Sequence, residues 1–298
     1  MGIALKTILS LSMIMVFCVN RASYHQPGAD LIAFSYDRPL QLYALLESIQ
    51  VYVQGLDRIV IIYRSSNDQF YNAYQEVVDA FPEVDFRYQK NLPNEFKRLT
   101  LEALMTSKQG HLLFAVDDNI VTDYIDIGYA VKLLEETQAY GFYFRLGTHL
   151  TYCYPAQVPQ AVPVHQLVVD DVYTWCFKAG EWDWGYPNTV DMTLYRMDEV
   201  MATITNLPFN APNSFEGYWA LQAKQVLERN GLFHQHAKIV NLPLNRVQSE
   251  CENVHMHAFS PEDLLKLFLE GKKIEIHQLY RIDNYAAHME YLPTFVTR

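Results

Sequence analysis

Residues 31–53, LIAFSYDRPLQLYALLESIQVYV, contain one change of hydrophobic period, and that change decides the fold. Leu31-Ile-Ala-Phe-Ser35 is an apolar run of the length of a buried strand. From Leu40 to Val53 the apolar residues recur at helical spacing, and Asp37-Arg38-Pro39 between the two is a helix start. The alternation then repeats. Arg58-Ile-Val-Ile-Ile-Tyr63 reads as a second strand, apolar on both faces as in a sheet covered on both sides. Asn67-Asp68 caps a helix running to Phe81 and ended by Pro82. Val84 to Tyr88 gives a third strand, Asn94 to Ser107 a third helix, and His111-Leu-Leu-Phe-Ala-Val116 a fourth strand. This order predicts an α/β fold, a doubly wound and mostly parallel sheet flanked by helices with right-handed crossovers. Ligands of such sheets lie beyond the carboxyl ends of the strands, so the residues just past each strand are the candidates for a site.

The whole chain has 298 residues, 50% of them hydrophobic and 14% aromatic, too apolar for a disordered or solvating chain. Its net charge of −11 argues against nucleic acid or an anionic membrane surface as a partner. A small anionic ligand stays open, because a divalent cation can supply positive charge. Residues 1–22, with Lys6 before the apolar run Thr7 to Val19, read as a signal peptide or membrane anchor. That places the protein in the secretory pathway or on a membrane through its N-terminus, and in the cytoplasm if the segment is not a signal. Residues 23–298 are then one domain, with residues 30–122 and 123–298 as its two halves. Cys18, Cys153, Cys176 and Cys251 are scattered and form neither a disulfide framework nor a zinc motif.

Past the fourth strand stands Asp117-Asp118-Asn119. Adjacent carboxylates at a buried strand end repel each other unless a cation or hydrogen-bond donors neutralise them. Carboxylate oxygens suit Mg²⁺ or Mn²⁺, which in turn bridge phosphates. The competing reading is capping of the helical stretch that runs to Tyr140. At these residues the chain resembles a known family. The opening Ile32-Ala-Phe-Ser-Tyr-Asp-Arg-Pro-Leu-Gln-Leu-Tyr-Ala-Leu-Leu-Glu-Ser-Ile49, the segment Ile59 to Ser66, and Leu113-Phe-Ala-Val-Asp-Asp-Asn-Ile-Val121 are similar to nucleotide-sugar glycosyltransferases of the A-type fold, the family-2-like group.

The resemblance implies that Asp118 holds a divalent cation, Mn²⁺ or Mg²⁺, on the donor diphosphate, with Asp117 nearer the ribose. Asn119 departs from relatives that carry a third acid there. Ser35 and Asp37 follow the first strand, where relatives contact the nucleotide; Asp37 could equally cap the helix after Pro39. Arg64 stands where relatives often place an acid that reads the base, and could stack on the base or pair with phosphate. Lys97, near the start of the third helix, would balance phosphate charge or simply face solvent.

The second half loses the regular alternation and gains aromatics. Phe142 to Leu146 and Thr189 to Arg196 read as strands. Between them Trp182, Asp183 and Trp184 offer rings for the C–H faces of a sugar and a carboxylate for its hydroxyls, although any one tryptophan could be core. Pro212 to Trp219 opens a helix that runs on to Asn230-Gly231, with Ser214 as cap and Glu216 in its first turn. In the resembled family an acid at the start of such a helix is the general base, which assigns that role to Glu216. A histidine near the carboxyl end completes the metal shell in many relatives; His257 is the candidate and His255 the alternate. Ser260-Pro261 starts a last helix through Glu270-Gly271.

Together these readings predict a metal-dependent transferase moving a sugar from a nucleotide-sugar donor to a glycan or other hydroxyl acceptor, with inversion. A nucleotidyltransferase would share the sheet and the acidic site, but Phe34-Ser-Tyr-Asp-Arg-Pro39 is not its Gly-rich phosphate loop. A non-catalytic carbohydrate-binding protein is the third alternative.

Overall fold

The computed structural model describes residues 28–90, 92, 94–247 and 254–298. The expected signal or anchor over residues 1–22, together with Cys18 and Cys251, lies outside the described residues. The first half follows the order read from the sequence: β1 (Ala29–Tyr36), α1 (Pro39–Tyr52), β2 (Leu56–Arg64), α2 (Asp68–Ala80), β3 (Asp85–Tyr88), α3 (Glu95–Met105) and β4 (His111–Val116). The second half supplies β5 (Asn119–Val121), α4 (Ile127–Thr137), β6 (Gly141–Tyr143), β7 (His165–Val169), β8 (Val172–Cys176) and β9 (Thr193–Arg196). It continues with α5 (Met197–Ile204), α6 (Pro212–Ala220), β10 (Asn230–His234), β11 (Ile239–Asn241) and α7 (Pro261–Leu269).

Among the described residues, nine strands form the main sheet in the order β7-β8-β10-β6-β9-β4-β1-β2-β3. β1 pairs in parallel with β2 and with β4, and β2 in parallel with β3. β9 runs antiparallel between β4 and β6, β10 returns parallel to β6, and the β7–β8 hairpin closes that side. The short β5 pairs with β11 apart from the main sheet.

Period-two alternation sorts the strand side chains into two cores. Leu31 and Ala33 of β1, Ile61 of β2 and Leu113 of β4 face the layer that holds α1, α2, α4 and α7. Their neighbours Ile32, Phe34, Ile62 and Phe114 face the opposite layer, with Phe96 of α3, Val200 of α5, and Phe215 and Trp219 of α6. Burial on both sides is why these strands read as continuous apolar runs. Helix starts also fall where local chemistry puts them. Asn67 accepts from the N–H groups of Gln69 and Phe70, Pro39 occupies the first turn of α1, and Ser260 and Asp263 form a reciprocal capping box on α7.

Three elements differ from the sequence reading. β6 ends at Tyr143, short of Leu146, because the next residues turn away into the site. Thr189 to Met192 likewise precede the strand, which begins at Thr193. Helix α6 stops at Ala220, well before Asn230. Beyond it the carbonyls of Leu227 and Arg229 accept from the N–H groups of Lys178 and Phe177, and the chain proceeds by three-residue turns. Ser214 does not lead the helix either. It sits in the third position, where its Oγ accepts from the N–H groups of Asn210 and Ala211, so Glu216 lies in the second turn.

Phe114 fixes α6 against the sheet, its ring 5.2 Å from Phe215 and 5.8 Å from Trp219. Phe114→Ala is expected to cost about 3–5 kcal/mol of stability, read as a lower urea midpoint at unchanged slope.

Candidate active site

Asp117 leaves β4 with its N–H donated to the carbonyl of Phe34, which sets the acidic turn beside the carboxyl ends of β1 and β4. One guanidinium bridges the pair. Arg38 Nη1 lies 3.0 Å from Asp117 Oδ1 and 3.0 Å from Asp118 Oδ2. Asn245 holds that guanidinium, taking Nε at 2.9 Å on its Oδ1 and Nη2 on its carbonyl. The second oxygen of Asp117 accepts from the N–H of Tyr36, and that of Asp118 from Asn241 Nδ2 at 2.9 Å. Burial still pushes the Asp117 carboxyl up to about 6, with Arg38 pulling it down and Asp118 pushing it up. Neither acid caps α4, since Asp126 does so through the N–H of Tyr129. The capping alternative for Asp117-Asp118 therefore falls.

Asn119 explains its own departure from an acid. Its Oδ1 accepts from the N–H of Val116, and its Nδ2 donates to Asp191 Oδ1 at 3.2 Å. A carboxylate could not donate there and would repel a buried carboxylate. The other oxygen of Asp191 lies 3.3 Å from His288 Nε2. His288 is delivered by the backbone of residues 287–289, which pairs with Asn241 on both sides. Burial opposes the charge on both groups, but each outweighs that for the other: Asp191 is held at about 2 and His288 raised to about 9. Glu216 has the opposite fate. Burial and then the charge of Asp191 raise its carboxyl to about 7, although Val190 N–H donates to its Oε1 at 3.0 Å.

The acidic turn, Asp191, His288 and Glu216 all line one cavity of about 660 Å³. Its far wall is Arg145, which is 2% exposed and follows β6. Arg145 Nη1 lies 3.0 Å from Asp183 Oδ1, and Gln160 donates to the other Asp183 oxygen at 3.0 Å. Trp182 stands at the mouth, 49% exposed and with a left-handed backbone of φ +50°. That conformation is strained for a bulky residue.

The residues singled out in the sequence thus separate. Ser35, Arg64, Asp117, Asp118, Trp182, Asp183 and Glu216 line the cavity. Asp37, Lys97, Trp184 and His257 do not. Asp37 turns away, accepting from Ser66 N–H at 2.8 Å, which ties the end of β1 to that of β2. Lys97 donates to the carbonyl of Leu207 at 2.7 Å and lies over the Phe209 ring. Trp184 is fully buried core against Trp175 and Phe233. His257 is exposed, whereas its neighbour His255 lines the cavity. Sequence reasoning missed Arg38, Arg145, Asp191, Asn241, Asn245 and His288. A signal existed for Arg145, a cation inside the apolar run Phe142-Tyr-Phe-Arg-Leu146, and for Asp191, an acid inside an apolar strand pattern. Nothing local marks His288.

Among the described residues no three His, Cys, Asp or Glu side chains converge as a metal cluster. The donor set still fits a hard cation. Among the described residues the turn sets two carboxylates against the single charge of Arg38, and the buried Oδ1 of Asn241 has no partner while its Nδ2 is held by Asp118. Asp118 and Asn241 are oxygen donors of the kind Mg²⁺ and Mn²⁺ take.

Fold and site define an α/β protein with a polar cavity at the carboxyl ends of its central strands. No protein-family profile matches the sequence. The chain is similar to the bifunctional glycosyltransferase pgtA of Dictyostelium discoideum, 25% identical over 284 residues. The match covers 84% of this chain, which spans 36% of the length of that relative. Among solved structures, S. aureus TarS aligns with a TM-score of 0.49 at 12% identity, over 71% of this chain and 36% of TarS. The mannosyltransferase PcManGT from Pyrobaculum calidifontis, in complex with GDP-Man and Mn²⁺, aligns at 0.40 and 11%, over 68% and 54% of the two chains.

Asn119→Asp is expected to lower stability by about 2–4 kcal/mol at pH 7, because it replaces a donor to Asp191 with a like charge. The loss should shrink in acid, where one of the two carboxyls takes up a proton; urea unfolding at pH 7 and pH 4 reads both.

Proposed function

We propose that this chain is a nucleotide-sugar-dependent glycosyltransferase that passes a sugar to a hydroxyl acceptor with inversion, Glu216 acting as general base. The observation that carries this reading is the pairing, in one cavity, of an acidic turn at the carboxyl ends of β1 and β4 with a carboxyl poised near neutrality. Similarity to a glycosyltransferase over most of the chain supports it.

In this reading the nucleotide lies along Ser35, Tyr36 and Arg64. The Arg64 guanidinium sits over the Tyr36 ring, 5.2 Å from its centroid, and gives a flat cationic surface for a base or phosphate. Asp117 accepts from ribose. Asp118 and Asn241 would hold the divalent cation, Mn²⁺ or Mg²⁺, which when bound adds positive charge beside the leaving diphosphate. Trp182 and Asp183 receive the acceptor, Asp183 held rigid by Arg145 and Gln160. The acceptor hydroxyl gives its proton to Glu216 as its oxygen bonds to the anomeric carbon. The bond from that carbon to the diphosphate breaks, and its electron pair leaves with the nucleoside diphosphate. Asp191 stays ionised beside His288 and Arg145, so it raises the proton affinity of Glu216 without competing for the proton.

Thermal-shift scans of the full chain with UDP, GDP and CMP, each with Mn²⁺ or EDTA, test the donor site. One nucleoside diphosphate should raise Tm in the presence of Mn²⁺, and Asp118→Ala should abolish that rise. No shift from a folded protein with any nucleotide overturns the reading.

With Glu216 as base, kcat/KM should climb about tenfold per pH unit below about 7 and level off above it. Glu216→Gln should lower kcat about 10²–10⁴-fold while leaving nucleotide binding intact. Its effect on stability has the opposite sign. The folded-state pKa of about 7 lies above the unfolded value of 4.5, so the carboxyl favours the fold at low pH and loses that contribution as pH rises through 7. Glu216→Gln should therefore be more stable than wild type at pH 8, by roughly 3 kcal/mol, and equal to it near pH 4.

A further inference from the structure

A second cleft opens beside the catalytic cavity, and Tyr154 belongs to the walls of both. Two distant segments build it. Tyr152 and Gln157 come from the loop after Arg145, and Tyr285 and Glu290 come from the stretch that also delivers His288. The segments are laced together by backbone, since the N–H groups of Thr151 and Tyr152 both donate to the carbonyl of Tyr285, at 3.0 and 3.3 Å. Tyr154 is buried, and its hydroxyl donates to Glu290 Oε1 at 2.7 Å. The cleft is therefore a built feature with fixed walls.

Its chemistry is narrow. The Tyr152 and Tyr285 rings lie 6.0 Å apart at 57°, and Tyr285 remains 45% exposed, so an aromatic face is left open to solvent. Beside it Glu290 has committed one oxygen to Tyr154, and among the described residues no Lys, Arg or His pairs with it. An unneutralised carboxylate repels phosphate, sulfate and acidic ligands. An open aromatic face with an adjacent carboxylate suits a neutral polyhydroxy ligand, whose C–H groups rest on the ring while its hydroxyls donate to the acid.

We propose that this cleft binds a second, neutral sugar residue of the acceptor, continuous across Tyr154 with the sugar that receives the transfer. The acceptor is then an oligosaccharide of at least two residues. The inference rests on the transferase reading for the word acceptor, and its test does not.

The experiment is binding of the full chain to an array of neutral mono- to tetrasaccharides, without nucleotide, comparing wild type with Tyr285→Ala. Half of Tyr285 is already in water, so its truncation spares the core, and the nucleotide-induced thermal shift checks the neighbouring cavity. Wild type should retain at least one oligosaccharide and bind it at least tenfold better than the matching monosaccharide. Tyr285→Ala should lose that margin and keep its nucleotide shift. Retention of no oligosaccharide by wild type, or equal retention by the variant, overturns the proposal. Oligosaccharide binding that depends on Tyr285 in a chain with no nucleotide shift would leave the sugar cleft standing and remove the transferase reading.

Discussion

The guanidinium of Arg38 is the group on which the site depends. It projects from the turn between β1 and α1, reaches both acids past β4, and is gripped from the other side by Asn245. Three segments separated by up to 207 positions thus meet on one planar cation. Two adjacent buried carboxylates would otherwise hold a proton or separate, and either outcome would remove the concentrated negative charge. Arginine suits this task better than lysine, because its planar fork satisfies four acceptor contacts at once and cannot lose its charge. Its single charge also leaves the turn one negative charge in excess.

How legible this was depends on how far apart the interacting residues lie. The strand–helix alternation from β1 to β4 is local, so periodicity and capping residues such as Asn67 and Pro39 carry it. The carboxyl-end rule then leads to Asp117 and Asp118 without any knowledge of their partners. Glu216 was singled out by an expected place in the first turn of a helix; the helix begins at Pro212 and puts it in the second turn, but still on the cavity. The β7–β8 hairpin was hidden because His165, Gln166 and Leu167 are exposed and show no buried face. Asp191 and His288 lie 97 positions apart, and no local pattern joins them. Trp184 went the other way: its aromatic neighbourhood suggested sugar contact, yet the 3₁₀ turn of residues 182–185 sends Trp182 outward and Trp184 into the core.

Asp191 and Glu216 show one environment pushing two carboxyls in opposite directions. Both are drawn into the same low-dielectric pocket, yet only Asp191 meets a histidine and the side-chain amide of Asn119. Once its charge is secured, that charge becomes a reason for Glu216 to keep its proton. The division needs the fold as a whole, because Asn119 comes from β5, His288 from the C-terminal stretch, and Glu216 from α6.

The cavity also concentrates what a purely structural core avoids. Of the ten buried side-chain atoms without a hydrogen-bond partner among the described residues, four belong to residues that line it: Arg145 Nε, Asn241 Oδ1, Asn245 Nδ2 and His288 Nδ1. The two amides have fixed orientations, since Asn241 Nδ2 is tied to Asp118 and Asn245 Oδ1 receives both Arg38 and Gln41. Rotating either amide would exchange one unmet group for a repulsive contact. Left-handed backbone gathers here as well, at Asp37 behind the acidic wall, at Trp182 on the rim and at Met192 beside Asp191. Unpaired buried donors and strained non-glycine residues each destabilise a fold by an amount of the order of 1–3 kcal/mol. Their gathering around one cavity, together with a carboxyl held near neutrality, sets this surface apart from the packed interior, where buried polar groups find their partners within the fold.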